Sequence, residues 1–134
     1  SGMVHGGLRL GDIHLQPDGR VRVGGFGIPR AEVAAFSSPE QMFGAARPAS
    51  DLFSLAVCAY RAVIGLPPFP GPDFPEQKRK MEFVLPSQAL AGLPRGVDEI
   101  FRRALQPDPA RRQGSCGEFS MALKSVWVRS RKRA

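Results

Sequence analysis

The chain has only two cysteines, one tryptophan and one tyrosine, and no apolar run long enough to cross a bilayer. Cys58 and Cys116 have no second Cys or His at ligand spacing, which speaks against a metal site. Both read as free, buried thiols of a cytosolic protein. The early glycines, Gly2, Gly6, Gly7 and Gly11, do not form a G-x-G-x-x-G ahead of a helix, so the common phosphate cradle is missing. No secretory leader is expected, because the residues after Met3 are polar and Gly-rich. Between Ile28 and Phe36 there is no Ser, Thr or Tyr, so that stretch offers no hydroxyl for phosphorylation.

What is present suits one compact domain: 134 residues, 43% hydrophobic and 23% charged. The 13 prolines and 15 glycines are scattered, which marks turns between short elements and not a low-complexity tract. The net charge of +7 is uneven, since the last eleven residues hold five of the 19 basic side chains and none of the 12 acidic ones. The expected division is a domain over 1–127 and a basic tail over 128–134.

Ile13-His14-Leu15 and Val21-Arg22-Val23 flank Gln16-Pro17-Asp18-Gly19-Arg20, which predicts a β-hairpin. Residues 24–37 read as loop. Ser50 is expected to cap a helix from Asp51 to Ile64, apolar nearly all round and so placed at the centre of the fold. Gly65 and Pro67-Pro68 stop it. Residues 66–96 predict loops with one short helix, on which Lys78, Arg79 and Lys80 form a solvated basic face. Val97, Ile100, Phe101, Ala104 and Leu105 follow helical spacing. Ser115 and Glu118 form an S-x-x-E capping box before a last helix carrying Phe119, Ala122, Leu123, Val126 and Trp127.

Six short motifs then fall in one order. Val4-His5-Gly6-Gly7-Leu8-Arg9-Leu10-Gly11-Asp12 resembles the catalytic loop of protein kinases, His-Arg-Asp-Leu-Lys-Pro-x-Asn. Gly25-Phe26-Gly27 stands where that family has Asp-Phe-Gly. Ser38-Pro39-Glu40 resembles the motif closing the activation segment, in the form common in bacterial Ser/Thr kinases. Ser50-Asp51-Leu52-Phe53 resembles the start of the central helix, Leu66-Pro67-Pro68-Phe69 the turn after it, and Asp108-Pro109-Ala110-Arg111-Arg112 the segment before the last helix. The resemblance implies a mainly α, kinase C-lobe-like helical domain with a small β-hairpin and without the nucleotide-binding lobe.

The departures carry chemical content. The family's proton-accepting Asp is Gly7 here, and its magnesium-holding Asp is Gly25. The loop Lys is Arg9, and the metal-binding Asn is Asp12, an oxygen ligand lacking the family's other metal ligands, and a single carboxylate rarely holds Mg²⁺ alone. A Thr before the Ser-Pro-Glu is Val33. For His5 the expected role is a buried brace of the loop, and for Asp12 a surface acid beside the hairpin. The resemblance also implies retained scaffold: Glu40 paired with Arg112, and Asp51 binding the loop backbone.

The resulting expectation is a degenerate, pseudokinase-type module that is not an enzyme, binds no ATP, metal or other cofactor, and acts through protein–protein contact as a scaffold or regulator. Its partner would be another protein or a second copy, lying on Leu52, Leu55, Ala56, Ala59, Tyr60 and Val63 of an under-covered central helix. Two alternatives stand beside it. One is residual or partner-completed Ser/Thr kinase activity. The other is binding of a membrane surface or, less in keeping with the few aromatics, nucleic acid by the basic tail. The expected location is cytoplasmic, or juxtamembrane if the full chain continues into a span.

Overall fold

The computed structural model describes residues 4–25, 34–44 and 46–133. The chain folds into a helical lobe with one hairpin at its edge. Strands β1 (Ile13–Leu15) and β2 (Val21–Val23) pair antiparallel, with Ile13 opposite Val23 and Leu15 opposite Val21. Among the described residues five α-helices follow: α1 (Pro48–Ile64), α2 (Phe74–Arg79), α3 (Pro86–Ala89), α4 (Gly96–Ala104) and α5 (Cys116–Arg133).

Helix α1 is the axis of the core. Leu52, Phe53, Ala56, Val57, Cys58 and Tyr60 are all buried, as expected for a helix apolar on every side. It begins earlier than the sequence suggests. Pro48 occupies the first turn, where its missing N–H costs nothing, and Arg47 is the cap residue. Ser50 is therefore inside the helix, where its Oγ accepts from the Arg47 N–H at 3.0 Å. Gly65 ends the helix at φ 88°, a left-handed conformation that a side chain would strain.

Aromatic rings join α4, and through it α5, to α1. Phe53 stacks on Phe69 with centroids 6.1 Å apart, and Tyr60 meets Phe101 edge-on at 5.9 Å. Phe101 meets Phe119 of α5 at 5.7 Å. Such pairs add about 0.5–1.5 kcal/mol each beyond the area they bury.

Helix α5 starts as the capping signal predicts, with the Glu118 N–H donating to Ser115 Oγ at 3.1 Å. The Glu118 carboxylate reaches one residue further back than a reciprocal box would, accepting from the Gly114 N–H at 2.9 Å. The helix continues through residues 128–133, so the basic run forms its last turns. No helix among the described residues is long and apolar enough to cross a membrane.

Two helices, α2 and α3, lie in the proline-rich stretch where one was expected. The basic cluster there is not a uniform solvated face. Arg79 and Lys80 are exposed and pair with Glu76 at 2.7 and 3.0 Å, but Lys78 is fully buried. The cause is tertiary. Its Nζ donates at 2.6 Å to the carbonyls of both Ala34 and Ser37, and lies over the rings of Phe53 and Phe74. Burial pushes the Lys78 pKa down to about 8.

Candidate functional site

The site is a loop over residues 4–12 held from three directions. Asp51, in the first turn of α1, accepts the backbone N–H groups of His5 at 2.6 Å and Gly6 at 3.0 Å. Gln41 donates from Nε2 to the Gly6 carbonyl at 2.8 Å. His5, itself buried, meets the Gly24 carbonyl with Nε2 at 2.5 Å, while the Gly7 N–H reaches its Nδ1 at 3.3 Å. A carbonyl can only accept and a backbone N–H can only donate. The two bonds together therefore assign the imidazole with its proton on Nε2. His5 thus ties the loop to the segment just after the hairpin.

Asp12 is buried, not on the surface as the sequence suggests. The reason is a set of cationic and N–H groups converging on it. Its carboxylate accepts from the Arg9 N–H at 3.2 Å and lies 3.7 Å from Arg9 Nε and 3.8 Å from His5 Nε2. Its backbone carbonyl accepts from the Gly24 N–H at 2.9 Å, which closes the base of the hairpin. Gly7 is buried and Gly25 has φ 74°, where a side chain would be strained. Val33 lies outside the described residues.

A second bracing point stands below the loop. Arg112 donates to both oxygens of Glu40, at 2.6 and 3.0 Å, and to the carbonyls of Gln106, Ala49 and Pro107. All five of its N–H donors are used. The guanidinium also lies over the Phe53 ring at 5.0 Å. Ser50 Oγ gives Glu40 a further bond at 3.1 Å. Burial is the largest single influence and would raise the Glu40 pKa, but the Arg112 hydrogen bonds, the backbone and Ser38 hydrogen bonds and the Arg112 charge together outweigh it and hold the carboxyl below its ordinary value.

As for metal or nucleotide, Gly7 and Gly25 bring no side-chain oxygen ligand, and Asp12 is buried beside Arg9 and His5. Among the described residues no group of three or more His, Cys, Asp or Glu could hold a metal ion. These residues alone do not compose a magnesium site.

The six residues expected to form an interface divide by position. Leu52, Ala56 and Tyr60 have no surface to offer, because α3, α4 and α5 pack over α1. Leu55 and Ala59 are half-buried against the core, and only Val63 is exposed. Exposed apolar side chains occur at several places, Phe43, Leu66 and Met121 among them, and three of them share the hairpin, where Leu15 is 76% exposed, Val21 58% and Val23 43%. The sequence held the signal for it. Ile13, Leu15, Val21 and Val23 alternate with His14 and Arg22, so the paired register puts all four on one face.

A lobe built on one enclosed helix, with a loop braced by Asp51 and Glu40 gripped by the distant Arg112, has the fold of the C-terminal lobe of a protein kinase domain. Its homologues are bacterial serine/threonine kinases, and the chain is a kinase-like fragment. It is 34% identical to the serine/threonine-protein kinase PknA of Mycobacterium tuberculosis over 94% of its own length and 32% of that protein's. It is 31% identical to a probable serine/threonine-protein kinase PknB of Bifidobacterium longum, over 88% of its length and 20% of that protein's. It superposes on the crystal structure of the M. tuberculosis PknI kinase domain with a TM-score of 0.77 at 27% identity, covering 93% of this chain and 47% of that one. The chain thus spans about a third or less of these curated relatives. No family model matches it. The relatives correct one expectation: the sequence reading of a non-enzyme is overturned, because the proteins it resembles over nearly its whole length are named as kinases, an enzyme family.

Proposed function

We propose that the chain acts through protein–protein contact, as a scaffold or regulatory lobe of a Ser/Thr kinase-type module, and that the apolar face of its hairpin is the contact surface. One observation carries this reading. Leu15, Val21 and Val23 stand open together on a two-stranded sheet, while the core beside them is closed. A two-stranded hairpin is marginal by itself in water and gains from a cover on its apolar face. The cover is a protein surface, in the simplest case a second copy. Light scattering across the micromolar range tests it. Wild-type chain is expected to associate, and the double variant Leu15→Ser, Val21→Ser to return to a monomer. A well-folded wild type that stays strictly monomeric contradicts the reading.

The same open face favours a second reading, in which a nucleotide-binding lobe from another polypeptide covers the hairpin and completes a phosphotransfer site. It predicts that ATP with magnesium raises the Tm of the mixture but not that of this chain alone. No rise in the mixture contradicts it.

A further inference from the structure

Helix α5 leaves a face of mixed character in the open. Phe119, Leu123 and Val126 turn toward the core. Met121, Lys124, Trp127, Val128 and Arg129 are all exposed, Met121 at 71% and Trp127 and Val128 at 43% each. Met121, Lys124 and Val128 follow the spacing i, i+3, i+7, and Trp127 and Arg129 flank them, so the five form one band on the side away from the core. Arg131 and Lys132 fall at the same helical spacing, and no acidic residue follows Glu118 in the sequence. Among the described residues Lys124 makes no hydrogen bond or ion pair, and Arg129 uses its Nε alone, on the Ser125 carbonyl at 3.3 Å.

We infer that this face of α5 lies on a membrane surface bearing anionic lipid. The shape of the face sets the size of the partner. The depression over it, about 580 Å³, is lined by Lys124, Ser125, Val128 and Arg129. All four belong to α5, so no second element walls the depression and it does not enclose a small ligand. A broad, flat surface suits it. The charge sets the sign, because the basic residues have no acid on the same helix beyond its first turn. The apolar side chains then choose among polyanions. The phosphates of a nucleic-acid duplex give Met121 and Val128 nothing apolar to bury against. The headgroup layer of a bilayer takes in Trp and aliphatic side chains while Lys and Arg keep their charges at the lipid phosphates. No helix among the described residues is long and apolar enough to span, so the contact is with the surface of the bilayer. This inference goes beyond the hairpin contact and does not depend on it.

The test uses the whole 134-residue chain and unilamellar vesicles of phosphatidylcholine, with or without phosphatidylserine. Trp127 is the single tryptophan of the chain, so its emission reports on this face. Vesicles with phosphatidylserine should shift that emission to the blue and carry the chain into the pellet on centrifugation. Pure phosphatidylcholine should do neither, and added salt should release the chain. Each basic residue near an anionic surface contributes about fivefold in affinity, so the double variant Lys124→Gln, Arg129→Gln should bind roughly twenty-fivefold more weakly. Arg79→Gln with Lys80→Gln removes the same charge from α2 and should bind nearly as wild type. Circular dichroism of each variant reports that it is folded. The inference is overturned if phosphatidylserine vesicles leave the chain in the supernatant, or if pure phosphatidylcholine binds it equally. It is overturned if the two double variants weaken binding alike, which would be general attraction to a basic chain. It is equally overturned if the chain pellets with no blue shift of Trp127, or if duplex DNA at the same salt and phosphate concentration binds it more tightly than the vesicles do.

Discussion

Arg112 grips Glu40 across 72 positions of sequence, with Nη1 and Nη2 at 2.6 and 3.0 Å from its two carboxylate oxygens. The remaining three bonds of the guanidinium end on backbone carbonyls. One side chain therefore joins the segment closing at Glu40, the start of α1 and the turn before α5. Removing it would strand a carboxylate and three carbonyls together. Arg112→Ala is expected to cost about 3–5 kcal/mol, a large share of the 5–15 kcal/mol that holds a typical domain. Arg112→Lys should recover only part of this, because an ammonium cannot fork onto both oxygens. Urea unfolding of the two variants checks the order. Equal stability of Arg112→Ala and wild type would remove the pair from the account.

The Glu40 pair also sets a pH dependence. Its carboxyl is held below the ordinary value of 4.5. A depressed carboxylate releases its proton more readily in the folded state, so it contributes stability above pH 4.5 that fades as pH falls below it. Unfolding free energy measured from pH 6 down to pH 3 should therefore drop, and the drop should be shallower in Glu40→Gln. An identical slope in both would place the acid sensitivity elsewhere.

Asp51 accepts two backbone N–H groups of the loop, from His5 and Gly6. Asp51→Asn keeps the shape but loses the charge and one acceptor. Hydrogen bonds to a charged acceptor contribute roughly 1.5–3 kcal/mol. The variant should lose a comparable amount of local opening free energy, read as faster amide exchange at His5 and Gly6 while the α1 core amides keep their rates. Unchanged exchange at these two amides would show that the loop is held by Gln41 and His5 alone.

These two anchors were legible in the sequence, because Ser38-Pro39-Glu40, Asp51 and Asp108-Pro109-Ala110-Arg111-Arg112 sit in motifs whose partners the kinase resemblance supplies. The hairpin was legible from local chemistry alone, through alternation around Pro17-Asp18-Gly19. What escaped was whatever depends on distant packing. Lys78 lies in a basic triplet that looks like a solvated face, and nothing local reveals that the Ala34 and Ser37 carbonyls will lie above it. Asp12 looks like a surface acid until His5 and Arg9 close around it. The α1 face looks under-covered in the sequence because its cover is discontinuous: Phe69, then Val97 and Phe101 of α4, then Phe119 of α5 arrive from three separate segments. The hairpin's exposed face is hard to read from sequence because three-residue strands give too short an alternation to weigh against a long apolar helix.

Lys78 gives a chemical test of its burial. A pKa of about 8 would make an accessible Lys78 more reactive than Lys80 or Lys124. Full burial reverses that order. Acetylation at pH 8, followed by peptide mass spectrometry, should label the exposed Lys80 and Lys124 early and Lys78 last, with Lys78 reacting readily once the chain is unfolded in urea. Labelling of Lys78 in the folded chain as fast as Lys80 would mean that α2 does not hold it inside.

The most direct test of the central claim, that the hairpin face is a protein-contact surface, is amide hydrogen exchange at two protein concentrations. The amides of β1 and β2 belong to an exposed two-stranded sheet and should exchange fast in dilute solution. Raising the concentration should slow exchange at Ile13–Leu15 and Val21–Val23 in the wild type, while α5 is unchanged and the Leu15→Ser, Val21→Ser variant shows no slowing. Hairpin exchange that ignores concentration in the wild type, or that slows equally in the variant, would contradict the account.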